Sequence, residues 1–270
     1  MKRYVILDKK VGETPLSAIQ AWKSQYPALT DVPASYAGRL DPMASGKLLV
    51  LLGKECRRQR AYTKLDKEYE IEVLFDIGSD TGDVLGMPAD VEKETVFDEK
   101  ILDAVLLREH GAYMRTYPVF SSKTVAGKPL FLYALEGSIA SIKIPVHIEH
   151  IYSICRTSSY VLSSKQLQEK ISELLLRVPR TTEPSKRLGE DFRIDAIRAE
   201  WESVFENTPE RNFHVLRLRV ICASGTYMRS LAGRLGESLG TKALALSITR
   251  TRMGKYIPIS KGFGFWLRTY

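Results

Sequence analysis

Stretches of alternating polar and apolar residues constrain the fold of this chain most. "KEYEIEVLFDIG" and "VHIEHIYSICRTS" both alternate, and "NFHVLRLRVICA" is a third strand-like segment. A period of two places one row of side chains in a core and leaves the other row in solvent, which predicts half-buried β-strands. Strands and helices do not follow one another regularly. The order therefore favours an α+β fold with a mixed, mainly antiparallel central sheet flanked by helices and loops.

Helical segments lie between these strands. One of them begins near Pro15, which suits a first turn, and another ends at Gly111. We expect Ser164 to cap the helix "KQLQEKISELLLRV". Residues 179–195 are the most linker-like part of the chain, and there is no repeat of fixed period. We therefore interpret residues 1–270 as a single domain.

The composition narrows the classes of function. Lys and Arg outnumber Asp and Glu by 40 to 32, a net charge of +8 that favours a polyanionic partner. Cys56, Cys155 and Cys222 form no CxxC pair, which argues against a disulfide framework or a zinc knuckle. The first apolar run, residues 4–7, is too short for a signal peptide, and no run approaches a membrane span. We therefore expect a soluble cytoplasmic protein.

The segment "YAGRLDPMASGKLLVLLG", residues 36–53, places one carboxylate in a loop directly ahead of a buried strand. Asp-Pro dipeptides commonly open turns, so Asp41 has a structural interpretation as a turn residue. The other interpretation is catalytic, because a carboxylate held between glycines at the end of a strand is well placed to meet a ligand. This segment alone leaves both interpretations open.

Two further segments carry residues that could act with Asp41. In "CASGTYMRSLAGRLGESLG" a strand runs into a helix, and Arg229 falls in the first helical turn. It is either a solvated arginine or the cationic partner that a buried carboxylate needs to stay ionised. Tyr69 lies on the apolar face of the strand from residue 68 to residue 75, where a core tyrosine is the plainer interpretation.

Other polar clusters are weaker signals. Asp76, Asp80 and Asp83 in "DIGSDTGD" lack the spacing and the terminal glutamate of an EF-hand, so they predict a polar turn. His147 and His150 fall on opposite faces of a strand, which disfavours a metal site there. The basic run "KECRRQR" is equally consistent with a solvated face and with phosphate contacts. We expect neither a metal nor a cofactor.

Taken in order, the segments change this balance. "GRLDPMASGKLLVLLG", "KEYEIEVLFDIGSDTGDVLG" and "ASGTYMRSLAGRLGESLGTKALALSITRTRMG" closely resemble the motifs of the tRNA pseudouridine-55 synthase family, the TruB type. "LDKKVGETP" looks like the short N-terminal motif of that family, and "FSSKTVAGKPLFLYALEG" looks like its RNA-gripping insertion, here residues 120–137. The resemblance extends over most of residues 4–256. It implies the pseudouridine-synthase fold and the isomerisation of a tRNA T-loop uridine without a cofactor.

The resemblance also implies roles for individual residues. Asp41 falls on the catalytic nucleophile of the family, Tyr69 on the tyrosine that stacks on the target base, and Arg229 on the arginine that pairs with the aspartate. Ile248 falls on the apolar residue that packs against the base pocket. The remaining positions in these motifs are expected to contact the substrate RNA; they are Lys9, Tyr36, Gly38, Arg39, Lys123, Lys128 and Arg250.

Three departures from the family pattern lead to further expectations. Tyr36 stands where the family usually has a histidine, so we expect altered loop recognition. Residues 157–210 carry an extra helix and linker. Only 16 residues follow Gly254, so we expect no C-terminal RNA-binding domain and a monomer that reads the T-arm of tRNA without a protein partner. A non-catalytic RNA-binding or RNA-folding protein on the same scaffold, and a guide-RNA-dependent relative, are the alternatives.

Overall fold

The structure is a computed structural model that describes residues 3–89, 91–95, 98–178 and 193–270. The described strands are β1 (Tyr4–Lys9), β2 (Ala34–Ala37), β3 (Ala44–Leu52), β4 (Asp66–Phe75), β5 (Gly111–Thr116), β6 (Thr124–Val125), β7 (Lys128–Pro129), β8 (Val146–Ser163), β9 (Asn212–Cys222), β10 (Ala243–Ser260) and β11 (Phe263–Thr269). The α-helices are α1 (Pro15–Ser24), α2 (Gln59–Thr63), α3 (Glu99–Glu109), α4 (Leu130–Leu135), α5 (Ser164–Leu176), α6 (Ile194–Asn207) and α7 (Met228–Ser238). Short 3-10 helices span Pro27–Leu29, Gly53–Arg58 and Ile139–Ser141.

One large sheet organises the chain. Its strand order is β1-β3-β10-β4-β9-β8-β5, with β2 added to β3 and β11 added to β10. The pairing of β3 with β10 is parallel and the other pairings in this sheet are antiparallel. The prediction of an α+β fold with a mixed, mainly antiparallel sheet is therefore confirmed.

The two faces of the sheet carry two separate cores. Along β4, Tyr69, Ile71 and Val73 belong to one apolar cluster, and Leu74 belongs to the other. This division follows from the period of two, because successive side chains of a strand point to opposite faces. Residues of α1, α3 and α7 complete the first cluster, and residues of α5 and α6 complete the second. The first cluster contains the side chains that line the candidate site.

The start of α5 differs from the prediction. Ser163, not Ser164, is the capping residue: its hydroxyl accepts from the backbone N–H of Gln166 at 3.3 Å, and the Gln166 side chain accepts from the Ser163 N–H at 3.0 Å. This reciprocal arrangement requires the capping residue and its partner to be three positions apart. The Ser164 hydroxyl instead accepts from the backbone N–H of Arg211 at 3.1 Å.

The region of residues 157–210 contains more structure than one helix and a linker. Strand β8 continues through Ser163, and two helices, α5 and α6, follow. Most of the predicted linker, residues 179–192, lies outside the described residues. Strand β11 was absent from the sequence-based prediction. Within the described ranges, no helix is both long enough and apolar enough to cross a bilayer.

Candidate active site

Asp41 lies in the loop between β2 and β3, and two glycines allow this loop its path. Gly38 has φ +80° and Gly46 has φ +95°, in the left-handed region that side chains disfavour. A Cβ at Gly46 would lie 2.4 Å from the backbone oxygen of Arg250 on β10. Glycine at position 46 therefore permits the close parallel pairing of β3 and β10 that places the loop beside β4.

Arg229 holds the Asp41 carboxylate. Its Nη2 and Nε atoms lie 2.8 Å and 2.9 Å from Asp41 Oδ2. Arg229 is the second residue of α7 and is buried, and it also donates to the backbone oxygens of Thr81 at 2.6 Å and Phe120 at 3.0 Å. The Asp41 side chain keeps a third of its surface exposed. The arginine is thus immobilised, while the carboxylate remains open to a ligand.

A second carboxylate, Asp83, which the sequence predicted only as part of a polar turn, completes this group. Its Oδ2 lies 3.4 Å from Arg229 Nε, and its Oδ1 accepts from the Thr81 hydroxyl and the Leu85 N–H, each at 2.9 Å. Burial raises the pKa of Asp83 to about 6, against the opposing effect of Arg229. The sequence shows only three aspartates after a strand, and these three face different arginines: Asp76 pairs with Arg211, Asp80 with Arg193 and Asp83 with Arg229.

Tyr69 and Ile248 lie on neighbouring strands and line a cavity of about 190 Å³ together with Asp41 and Arg229. Tyr69 is buried, and burial raises the pKa of its hydroxyl to about 12, so the group stays neutral at physiological pH. A cavity with an aromatic ring, an aliphatic side chain and an open carboxylate has the chemistry to hold a planar polar ring beside an acidic group. The structure therefore brings together all four of these predicted residues.

Asp41 also borders a second cavity, of about 120 Å³. Its apolar wall includes Phe120 and Phe131 of the gripping insertion, residues 120–137, and its polar wall includes Asp83 and Arg229. The gripping insertion therefore reaches the site directly, since its side chains line both cavities that Asp41 borders.

Lys9 and Arg250 are fully buried beneath the Asp41 loop. The Lys9 ammonium donates to the backbone oxygens of Ala44 at 2.6 Å and Pro42 at 3.4 Å. The Arg250 guanidinium donates to the backbone oxygens of Lys47 at 2.8 Å and Gly38 at 3.1 Å. Both were predicted as substrate contacts, but in this structure their charged groups face the backbone of the loop that carries Asp41. They position that loop.

Lys67 is a third buried cation, which the sequence analysis did not single out. Its ammonium donates to the backbone oxygens of Thr63 and Leu65, and its side chain lines the cavity that contains Tyr69. Burial lowers the pKa of Lys67 to about 8, and the nearby Arg250 charge acts in the same direction. Burial likewise lowers the pKa of Lys9 to about 8. Because a pKa of about 8 is above neutral pH, Lys67 still carries its charge at pH 7 and places it at the wall of this cavity.

Of the remaining predicted substrate contacts, one lines the two cavities that Asp41 borders and three do not. Arg39 lines both cavities, and Tyr36 is half-buried on β2, where its backbone oxygen accepts from Gln59 Nε2 at 2.7 Å. Lys123 lies over the ring of Tyr117, with its ammonium 5.1 Å from the centroid. Lys128 lies 4.5 Å from the centroid of the Tyr133 ring and pairs with Glu136. Neither of these lysines lines the Asp41 cavity.

The chain is similar to proteins of a known family. The family model described as "TruB family pseudouridylate synthase (N terminal domain)" matches residues 29–171. A tRNA pseudouridine synthase B of Francisella philomiragia is 26% identical over 256 residues, which cover 93% of this chain and 65% of the relative. A protein of the same name from Aromatoleum aromaticum is 27% identical over 252 residues, covering 93% and 63%.

A solved structure, "Crystal Structure of a Cbf5-Nop10-Gar1 Complex", matches with a TM-score of 0.53 and 20% identity. The match covers 93% of this chain and 48% of that one, and it supports the fold described above. The chain spans less than two thirds of the length of the curated relatives it matches.

Proposed function

The chain belongs to the TruB family of pseudouridylate synthases, and from that membership and the Asp41 cavity we propose that it converts a uridine of tRNA to pseudouridine. We assign the reaction to the T-loop uridine at position 55, which is the assignment that the motif resemblance implies. The observation that carries the proposal is the Asp41–Arg229 ion pair, at the wall of a cavity that also contains Tyr69.

The proposed reaction begins when the target uridine leaves the base stack and enters this cavity. Unstacking costs a few kcal/mol, and contacts inside the pocket offset it. Tyr69 then offers an aromatic face to the base and Ile248 packs against it. Arg229 keeps Asp41 ionised as water is displaced, because an adjacent fixed cation favours the charged form of a carboxylate.

The Asp41 carboxylate promotes cleavage of the bond between C1′ and N1, by attack on C1′ or by removal of the neighbouring C2′ proton. Uracil leaves with the bonding electron pair and turns within the cavity. A bond from C1′ to C5 then forms as the Asp41–C1′ bond breaks or, in the deprotonation route, as Asp41 returns its proton to C2′. C5 loses its proton, and N1 gains one. Substrate and product are isomers, so the reaction consumes no co-reactant. We assign the proton transfer to Tyr69, whose side chain lines the cavity.

The test is to incubate the purified protein with unmodified tRNA transcripts and to map pseudouridine by position. The proposal expects one product in the T-loop. Asp41→Asn is the matched variant, and it should reduce product below detection while RNA affinity stays within about threefold, because affinity is the sum of many phosphate contacts. RNA binding without any product from the wild-type protein would favour the RNA-folding alternative.

A further inference from the structure

Three aromatic rings pack together beside the cavity that contains Asp41 and Tyr69, and one of them, Tyr227, lines it. Tyr117 follows β5 and His147 is the second residue of β8; their rings are stacked, with centroids 4.0 Å apart and planes 21° apart. Tyr227 directly precedes α7 and meets both rings edge-on, at 6.1 Å from Tyr117 and 5.8 Å from His147. We call Tyr117, His147 and Tyr227 the aromatic platform.

The aromatic platform is fixed relative to Asp41. Tyr227 and Gly225 line the same cavity as Asp41, and so does Ser122 of the gripping insertion. His147 Nε2 lies within hydrogen-bonding distance, 3.0 Å, of the Gly225 backbone oxygen. A nucleotide whose base enters the cavity therefore has the platform at its side, within reach of the neighbouring nucleotide of the same strand.

One face of the platform is covered by a side chain that RNA would attract. The Lys123 ammonium lies 5.1 Å from the centroid of Tyr117, while His147 stacks on the same ring. Two groups at these distances cannot share one ring face, so they occupy opposite faces. The ion pairs found in the described part of the chain do not include Lys123, whereas Lys128 pairs with Glu136. Among the described residues, the half-exposed Lys123 therefore has no carboxylate partner that would compete with a phosphate.

It is chemically favourable for a base to displace the Lys123 ammonium from the face of the Tyr117 ring. A base stacked on an aromatic ring is held more strongly than an ammonium at an exposed ring face, and every base has such a face to offer. The displaced ammonium gains a phosphate of the same strand as its partner. The two exchanges support each other, because a single nucleotide supplies both the base and the phosphate.

The geometry points to a second base-binding site: a base flanking the target uridine stacks on Tyr117 when Lys123 turns from that ring to a phosphate. This inference rests on the proposed function, in that it requires the target base to enter the Asp41 cavity. It differs from the proposed function in assigning a contact to a nucleotide that does not react. The site therefore acts in binding and in extracting the target base.

The test uses 2-aminopurine, whose fluorescence falls when it stacks on an aromatic ring. Stem-loop RNAs of the T-arm sequence carry the probe at each of the two positions on either side of the target uridine. They are bound to the Asp41→Asn protein, so that no product forms. We expect quenching at one of these positions, lost in Asp41→Asn/Tyr117→Leu and kept in Asp41→Asn/Tyr117→Phe. Affinity for the RNA should fall about tenfold with the leucine variant.

Tyr113→Leu in the same background is the matched control. Tyr113 lies on β5, four residues before Tyr117, and is 40% exposed. Its ring is covered by Arg115 instead of a residue of the gripping insertion. It should leave the quenching unchanged. If Tyr117→Leu quenches as fully as its parent at every position, the inference is wrong even though the wild-type protein makes pseudouridine. If the wild-type protein makes none on unlabelled RNA, it is the proposed function that fails.

Discussion

The cations beneath the Asp41 loop and the cations of the gripping insertion have opposite surroundings. Lys9 and Arg250 are fully buried and donate to backbone oxygens of the loop. Lys123 and Lys128 are half-buried and lie over tyrosine rings at the surface. The first pair therefore faces the backbone of the loop that carries Asp41. In the second pair, Lys123 has no carboxylate partner among the described residues, whereas Lys128 would have to leave Glu136 to bind a phosphate.

The burial of the first pair has a physical consequence. Removing an ammonium from water is costly unless hydrogen bonds replace its hydration. Backbone oxygens replace that hydration only in part, which is why the pKa of Lys9 falls to about 8. The buried ammonium therefore makes the folded protein less stable than a neutral side chain would. In return, it places a positive charge beside Asp41. The following four expectations test this division between positioning and binding.

The largest effect is expected from Arg229→Met, which removes the cation that serves both carboxylates. Asp41 loses its partner, and the backbone oxygens of Thr81 and Phe120 lose a donor. We expect kcat to fall at least about a thousandfold and the free energy of unfolding to fall by about 3–5 kcal/mol. Single-turnover kinetics and urea unfolding measure the two. Arg229→Lys should recover stability in part and turnover very little, because lysine lacks the planar fork.

Arg250→Met should weaken the positioning role without changing how RNA is bound. The backbone oxygens of Lys47 and Gly38 lose their donor, so the Asp41 loop shifts. We expect kcat to fall about a hundredfold, while the salt dependence of RNA binding stays unchanged. Arg219→Met, at an exposed position of β9, is the control and should alter neither quantity. A change in the salt slope of Arg250→Met would assign Arg250 to the RNA contacts, as the sequence analysis first predicted.

Turnover should fall as the pH rises through about 8, where Lys9 and Lys67 lose their protons in the folded protein. At pH 9 about a tenth of each would remain charged, so kcat/KM should fall about tenfold if one of the two charges is required and about a hundredfold if both are. The unfolded chain keeps these protons up to its ordinary pKa of 10.5, so it binds more protons than the folded chain between pH 8 and 10.5.

The contribution of these two lysines to the free energy of unfolding therefore rises over that window. Urea unfolding measured at each pH distinguishes deprotonation of the two lysines from alkaline unfolding of the protein. Deprotonation predicts that turnover falls while the free energy of unfolding does not. Lys67→Met should flatten the alkaline limb of the pH profile of kcat/KM. An unchanged limb in that variant would mean that Lys67 does not set it.

The smallest effects are expected in the gripping insertion. Lys123→Ala and Lys128→Ala should each reduce the slope of log Kd against log salt by about one unit, if each contacts one phosphate. Their free energies of unfolding should stay within about 0.5 kcal/mol of the wild-type value. Lys165→Ala, at an exposed position of α5, is the control and should leave the slope unchanged. A stability loss above this range in Lys123→Ala would contradict the surface role.

Local sequence patterns were sufficient for much of the fold. Alternation identified β4, β8 and β9, because a strand that buries one face must repeat with a period of two. The capping residue of α5 was misplaced by one position, since two adjacent serines offer the same hydroxyl and only the partner at Gln166 distinguishes them. Among the described strands, β11 pairs with β10 alone, and it exposes Phe263, Phe265 and Leu267. Its neighbours in space, not its own pattern, define it.

The candidate site divides in the same way. Asp41, Tyr69, Arg229 and Ile248 stand in short motifs whose order suggested that they act together. Asp83 was predicted only as a polar-turn residue, because a polar turn and a buried carboxylate have the same local sequence and only its approach to Arg229 distinguishes them. Lys9 and Arg250 were recognised as belonging to the site, but their role depends on whether the charge faces RNA or the backbone, and a sequence pattern carries no such direction.

The sequence by itself determined many of the strands and helices, the family, and the residue types at the centre of the site. These depend on neighbours within a few positions along the chain, where periodicity and turn chemistry act. The tertiary structure decided which charges are buried, which carboxylates share Arg229, and which rings stand beside the cavity. Arg229 and Asp41 are 188 positions apart along the chain and 2.8 Å apart in space. Electrostatic and stacking energies depend on distance in space, so only the folded chain sets them.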